Sequence, residues 1–410
     1  MANTRVLVIG GGLAGITAAV ELGRMGVPVE IVEKSAYLGG KTVKYGCKAT
    51  DKCQKCGVCL ASDKIEELRR TPGLGFHVRA EVVSLEGEPG AFLARVRQAP
   101  LYIDPALCTG CGLCAQWCLE RGCDCVKPLP GGGVPSTYTL EHCQGHSLEE
   151  MAKVCPFGAI NPGAQAREYQ IEASAVIVAT GFEAFDPSVL PNLGYGRFPQ
   201  VYTGLEMEET LRAHSTLLMP DGSQPGHVAF IQCVGSRNVQ LGSNYCSEVC
   251  CRYGLRMALH LKNGMPQCEV SVLYMDLQTA AKGAGDLYQE ASRNLRLIQG
   301  MPGEVKAEGG KVKVGYEDVR AAHVVWEEFD AVVLSVGVWP GGDTEFLAQR
   351  LGLNKDAHGF FGQGGSPWST RRPGVFLAGA CTGPMAIPGT QAHARGAAKA
   401  VISLLGVEVT

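Results

Sequence analysis

A strand, a glycine turn and a helix open this chain, and they narrow its fold more than any other feature. Arg5-Val-Leu-Val-Ile9 is apolar after its first residue, as a strand buried on both faces must be. Gly10-Gly-Gly-Leu-Ala-Gly15 then turns the chain, Ile16–Met25 reads as a helix, and Val29-Glu-Ile-Val-Glu33 reads as a second strand. A G-x-G-x-x-G by itself is weak. Between a strand and a helix, with an acid closing the next strand, it marks a dinucleotide site. Gly10 permits the tight turn, Gly12 lets backbone approach a pyrophosphate, and Gly15, beside Ala14, allows close helix–strand contact. The helix N-terminus faces phosphates, and Glu33, followed by Lys34, offers a carboxylate to the adenosine ribose.

Other segments belong with this turn although they are distant in sequence. Leu38-Gly-Gly-Lys41 places Gly40 and Lys41 close to a flavin in the layout of glutathione-reductase-type flavoproteins. Ile171–Gly181 ends in Val-Ile-Val-Ala-Thr-Gly, with Ala179, Thr180 and Gly181 forming the turn by which such proteins leave the flavin domain. Pro373–Ala380 is a strand ending at Gly379 and Ala380, and Pro388-Gly389-Thr390 leads into a final Ala-rich helix. This resembles the second flavin motif, except that Ala380 and Cys381 stand where an acid is usual, which puts the ribityl contact in question. His393 faces either the flavin or a capping role, the second being favoured.

The chain has 18 cysteines in 410 residues, most of them clustered. With no leader ahead of the first strand, the thiols are expected in a reducing cytoplasm, where such spacings mean metal or redox chemistry instead of structural disulfides. Cys108-x2-Cys111-x2-Cys114 with Cys155-Pro156 has the pattern of one ferredoxin cluster; zinc is the alternative. Cys118 stands where a second cluster's distant ligand belongs, with Cys143, Cys123 and Cys125 as its remaining candidates; leftover loop thiols are the alternative. Cys47, Cys53, Cys56 and Cys59 supply four thiols for a cluster, against a Cys53–Cys56 redox dithiol. Cys233, Cys246, Cys250 and Cys251 form a set that no standard ferredoxin loop explains. Cys268 and Cys381 fit no set and are expected as ordinary buried thiols.

These pieces predict an α/β architecture: a glutathione/thioredoxin-reductase-like flavoprotein with two dinucleotide-binding domains and an inserted ferredoxin-like iron–sulfur segment. The flavin domain takes residues 1–100, 164–224 and 341–410. The ferredoxin-like insertion takes 101–163, and a second nucleotide-binding-like domain takes 225–340. In that domain the first strand runs into Cys233-Val-Gly-Ser-Arg237 with no G-x-G-x-x-G, so no NAD(P)H is expected there. A net charge of −3 gives no basic footprint for nucleic acid. The longest apolar runs are too short to span a bilayer.

Phe230-Ile-Gln-Cys-Val-Gly-Ser-Arg237 and Tyr245-Cys-Ser-Glu-Val-Cys-Cys-Arg252 resemble the A subunits of heterodisulfide reductases. That resemblance implies FAD, a [4Fe–4S] cluster on Cys233, Cys246, Cys250 and Cys251, and two to four clusters in all. Arg256 stands where a lysine near the flavin is common, so it is the candidate catalytic donor; a surface helix cation is the alternative. The compact outline is similar to A subunits of the quinone-interacting membrane-bound oxidoreductases of sulfate reducers. This implies a related flavin/iron–sulfur B subunit, a haem-b membrane C subunit, adenylylsulfate reductase as acceptor, and a cytoplasmic location peripheral to the membrane. The rivals are an electron-bifurcating heterodisulfide-reductase-type subunit working with ferredoxin, an NAD(P)H-dependent flavin disulfide reductase, and a scaffold with structural clusters only.

Overall fold

The computed structural model describes residues 4–130, 134, 137–140, 147–214, 216–278, 283–320 and 322–407. Its first sheet is parallel, in the order Val375–Leu377, Ala175–Val178, Val6–Ile9, Val29–Val32, Leu74–His77. Three strands distant in sequence thus meet around the opening one. Side chains alternate across a strand, so Val6 and Val8 enter one core while Leu7 and Ile9 enter another. The first core packs under the helices Leu13–Arg24 and Ile387–Leu405, whose facing alanines Ala18, Ala394, Ala397 and Ala398 are fully buried and let the helices lie close. The second core packs under an antiparallel sheet of Ala80–Glu86, Phe92–Gln98 and Arg167–Ala173. Apolar side chains covered on both faces are what these continuous apolar strands require.

A second parallel sheet repeats the plan: Val201–Thr203, Ala331–Val336, His227–Val234, Glu269–Tyr274, Arg296–Gln299. Val228 and Phe230 face helices, while Ala229 and Ile231 face the antiparallel strands Pro302–Glu308, Lys311–Asp318 and His323–Phe329. Because Val201–Thr203 pairs with Val332–Leu334, this sheet draws on chain ahead of residue 225, and a boundary near residue 200 is proposed for it. Phe182–Ala184 runs antiparallel to Val338–Pro340 where the chain passes between the two sheets.

The cysteine-rich segment leaves the antiparallel sheet after Gln98 and returns at Arg167. These two residues are direct partners across the ladder, and Arg167 Nε donates to Gln98 Oε1 at 2.8 Å. An insertion at such a hairpin end leaves the rest of the sheet undisturbed. The segment has a small core of its own, around Ile103, Trp117, Val126, Leu140, Met151 and Ile160. Among the described residues no helix is long and apolar enough to cross a membrane.

Candidate functional site: a dinucleotide cradle ringed by thiols

The glycine turn is built as the sequence requires. A Cβ on Gly10 (φ +105°) would lie 2.5 Å from the Ala179 carbonyl oxygen, and one on Gly15 would lie 1.9 Å from that of Gly10. Around Gly12, by contrast, no atom lies within 4 Å of a Cβ position. Gly12 caps the Leu13–Arg24 helix with no side chain bonded to its first N–H groups. The cradle therefore has open space and unclaimed donors where a pyrophosphate fits. Glu33 is fixed at its edge: Oε2 accepts from Gly11 N at 2.6 Å and Oε1 from Ser35 N at 2.7 Å. Each carboxylate oxygen keeps a further acceptor site for a ribose hydroxyl. Lys34 instead points outward, paired with Asp343 at 3.3 Å.

Leu38-Gly-Gly-Lys41 lies against this turn. Gly39 N donates to Gly11 O at 2.7 Å, and a Cβ on Gly40 would lie 3.0 Å from Gly12 Cα. Lys41 sits over the Phe182 ring at 5.5 Å, and partial burial lowers its ammonium from the ordinary value. Ala179 N donates to Ile9 O at 2.7 Å, which holds Thr180 and Gly181 beside Gly10. At the second motif a Cβ on Gly379 would lie 2.5 Å from the Ala14 Cβ and 3.1 Å from Thr390. Pro388, Gly389 and Thr390 form the first turn of the last helix. Ala380 and Cys381 are buried, and the Cys381 thiol, pushed up to about 12 by burial, donates to the Val178 and Ala378 carbonyls. His393 takes the capping role: Nδ1 accepts from Gly379 N at 3.1 Å and Nε2 donates to Pro367 O at 3.0 Å.

No disulfide joins the described cysteines. The Cys47–Cys59 loop lies between the two sheets and is tied to the second domain. Gly46 N and the buried Lys48 ammonium both donate to Glu208 Oε1, at 2.7 and 2.5 Å. Gln54 Nε2 donates to Glu290 at 3.0 Å. Arg256 donates from Nε to Gln54 O at 2.7 Å and from Nη2 to Lys55 O at 3.0 Å, with Cys56 and Cys53 in electrostatic reach. The structure thus places Arg256 on the cysteine loop and commits its donors there; a contact with the flavin ring remains a proposal. Gly57, which precedes Cys59 and its helix, packs against Ile387 and Pro388, so this loop also touches the second flavin motif.

The Cys233 set takes the place of a nucleotide cradle. Cys233 is the last residue but one of the strand His227–Val234, Cys250 and Cys251 begin the Cys250–Gly264 helix, and Cys246 lies in the connection between them. Cys233 and Cys250 sulfurs are 4.0 Å apart, and Cys233, Cys250 and Cys251 form one buried group. Glu248 N points at Cys246 Sγ, 3.3 Å away. Hydrogen bonding with the Cys233 and Cys251 sulfurs, and then burial, push the Cys250 thiol well above its ordinary value. Gathered as thiolates, these sulfurs would need positive charge beside them, which a cluster would supply. Arg237 lies beside Cys233 and Cys246 and donates to Asp276 at 2.7 Å. Asp276 follows the strand Glu269–Tyr274, where a nucleotide ribose would seek a carboxylate. The missing glycine signature pointed away from a nucleotide and the family resemblance supplied the cluster reading; the Arg237–Asp276 pair had no signal beyond an acid near a strand end, and Lys48–Glu208 had none.

Backbone strain collects at these sets. Of the six non-glycine residues described with positive φ, Lys55, Cys233, Arg237 and Glu248 lie in the two cysteine loops. Each such residue costs about 1–3 kcal/mol and persists only where its surroundings enforce it.

In the insertion, Cys108, Cys114 and Cys155 pack around the small core, and Cys111 is exposed. Gly110 and Gly112 are left-handed between the cysteines, and Ala159 N donates towards Cys155 Sγ at 3.3 Å. N–H groups aimed at sulfur suit thiolates capping a cluster. Cys118, Cys123 and Cys125 stand apart as a tighter group, all within 4.8 Å of one another. Cys143 lies outside the described residues.

The family described as FAD dependent oxidoreductase matches residues 5–88. The A subunit of the H(2):CoB-CoM heterodisulfide,ferredoxin reductase of Methanothermobacter marburgensis is 36% identical over 99% of the chain and 65% of its own length. The iron-sulfur A subunit of the CoB–CoM heterodisulfide reductase of Methanocaldococcus jannaschii is 34% identical over 96% of the chain and 63% of its own. The chain thus spans somewhat under two thirds of such relatives. Among solved structures, thioredoxin reductase of Lactococcus lactis superposes with a TM-score of 0.56 at 15% identity, over 98% of this chain and 99% of that one. That of T. acidophilum superposes with 0.51 at 18% identity, over 98% and 97%. The fold is that of the thioredoxin-reductase-like flavoproteins, with a cysteine-rich insertion.

Proposed function

From an FAD oxidoreductase fold rich in cluster-type cysteines, with homologues at about 35% identity that are heterodisulfide reductase A subunits, we propose that this chain is the flavin and iron–sulfur electron-transfer subunit of a larger oxidoreductase. Gly10, Gly12, Ala14, Gly15 and Glu33 hold the adenosine diphosphate end of FAD. Gly40, Lys41, Ala179, Thr180, Gly181, Gly379, Pro388, Gly389 and Thr390 line the rest. FAD accepts or gives two electrons together or singly, and iron–sulfur clusters carry one at a time. Three four-cysteine sets are assigned to clusters: Cys47/53/56/59, Cys108/111/114/155 and Cys233/246/250/251.

One observation carries the reading. The helix Cys250–Gly264 starts at the Cys233 set and, six residues on, holds the Cys53–Cys56 loop through Arg256. Six residues of helix rise about 9 Å, so two thiol sets are fastened to one rigid element. The same loop touches the start of the last helix, at the second flavin motif. An NAD(P)H disulfide reductase would need this strand–helix junction for phosphate; here thiols occupy it.

The partner proposed for the chain is quinone-linked: a B subunit, a haem-b C subunit in the membrane and adenylylsulfate reductase as soluble acceptor. This rests on the sequence resemblance to quinone-interacting oxidoreductases. A second reading, with a heterodisulfide and ferredoxin as partners, is favoured by the names of the relatives at 33–36% identity. Anaerobic purification with flavin, iron and sulfide quantification and electron paramagnetic resonance tests the shared core. About twelve irons per FAD are expected from three cubes; roughly four would leave one cube and undo the proposal. Reduction of the assembled complex by a menaquinol analogue, against reduction by ferredoxin, separates the two partner readings.

A further inference from the structure

The geometry points to a structural zinc site on Cys118, Cys123 and Cys125 within the insertion, where the ferredoxin pattern would put a second cube. The three sulfurs lie 3.0 Å (Cys123–Cys125), 3.4 Å (Cys118–Cys125) and 3.6 Å (Cys118–Cys123) apart. Thiolates at about 2.3 Å around one tetrahedral zinc are separated by roughly 3.8 Å. A single ion thus needs these sulfurs to part by about 0.2 to 0.8 Å. On a cube each thiolate caps a different iron, so three sulfurs do not crowd in this way; among the described residues no other three cysteines, the Cys233 set with its 4.0 Å pair included, lie within 4.8 Å of one another.

The backbone resists that wider spacing. Cys118 closes the helix Leu113–Leu119, and the chain folds straight back: Arg121 N and Cys123 N both donate to Cys118 O at 3.0 Å, and Gly122 N donates to Leu119 O at 3.0 Å. Gly122 is left-handed at φ +71°, which makes the tight knuckle possible. Cys125 then enters the strand Val126–Pro128. Cys118 and Cys125 are 1% and 8% exposed, walled by Trp117, Val126, Leu140 and Met151, so moving them apart would break the core. Cys123 is half-buried, and a tetrahedral ion would take a fourth donor besides these three.

The insertion also needs such a staple. Its buried apolar set is small, and two of its eight members are these cysteines. Segments with so little core are commonly held by a metal, whose binding energy becomes folding energy. The site is independent of the three cluster sets and of the partner readings.

The full chain, purified anaerobically, is analysed for zinc, iron and labile sulfide, and its zinc environment is read by X-ray absorption. About one zinc per chain, in a shell of three or four sulfurs near 2.3 Å, is expected. The Cys123→Ser/Cys125→Ser double variant should lose the zinc and keep its iron and sulfide. Absence of zinc from the parent chain, or a zinc shell without sulfur, overturns the inference. So does a folded double variant that loses roughly four irons and four sulfides together, since that is a cube. If the variant fails to fold, the absorption spectrum of the parent chain decides alone.

Discussion

Three glycines of one turn do different physical work, and substitution separates them. At Gly10 and Gly15 a methyl group meets backbone oxygen at 2.5 and 1.9 Å, so Gly10→Ala or Gly15→Ala should cost about 2–3 kcal/mol in urea unfolding whether or not FAD is present. Gly12→Ala meets no protein atom and should leave the flavin-free protein within about 0.5 kcal/mol of the parent. It should nonetheless abolish flavin retention, read as visible absorbance per chain, because the methyl fills the pyrophosphate space. Equal retention by Gly12→Ala and the parent would place the cofactor elsewhere. At this scale the sequence was most legible: Gly10, Gly12, Gly15 and Glu33 could be read because each role depends on neighbours within a few dozen residues. Lys34 could not, since its partner Asp343 is 309 positions away.

At the scale of elements, the Cys47–Cys59 loop depends on the second domain for its shape. Lys48 and Glu208 are 9% and 8% exposed, so Glu208→Gln strands a buried ammonium and should cost about 3 kcal/mol, with earlier thermal unfolding and faster proteolysis inside the loop. Unchanged cleavage and melting would show that the loop is not held there. The second sheet carries its own pH dependence. Partial burial pushes the Asp330 carboxyl up, but N–H bonds from His227 and Gly226 and the Lys311 ammonium outweigh it and hold it below the usual carboxylate range. A depressed folded-state value stabilises above the unfolded value near about 3.9 and is lost as pH falls through the folded one. Acid titration of the parent should therefore show destabilisation below about pH 4 that Asp330→Asn lacks; parallel curves would refute it. Strand positions here follow from apolar runs, but the pairing of Val201–Thr203 with Val332–Leu334 does not, because nothing local records which sheet a three-residue strand joins.

For the molecule as a whole, the absence of a phosphate cradle in the second domain predicts an oxidised flavin after anaerobic addition of NADPH, and reduction once a one-electron partner is supplied. Bleaching by NADPH alone would restore the disulfide-reductase reading. The thiols that fill the Cys233 junction explain this expectation physically. The helix N-terminus where a glycine turn would cradle a second pyrophosphate begins instead with Cys250 and Cys251.

Local chemistry decided much in advance. A glycine turn after a strand has a fixed meaning because bond geometry acts over a few residues. Which thiol set lies beside which was settled only when strands at residues 6, 175 and 375 came together and one helix reached from Cys250 to the Cys53–Cys56 loop. Sulfur-to-sulfur spacing is of the same kind: the same run of cysteines serves a cube or a single ion, and only a folded knuckle between Cys118 and Cys125 distinguishes the two.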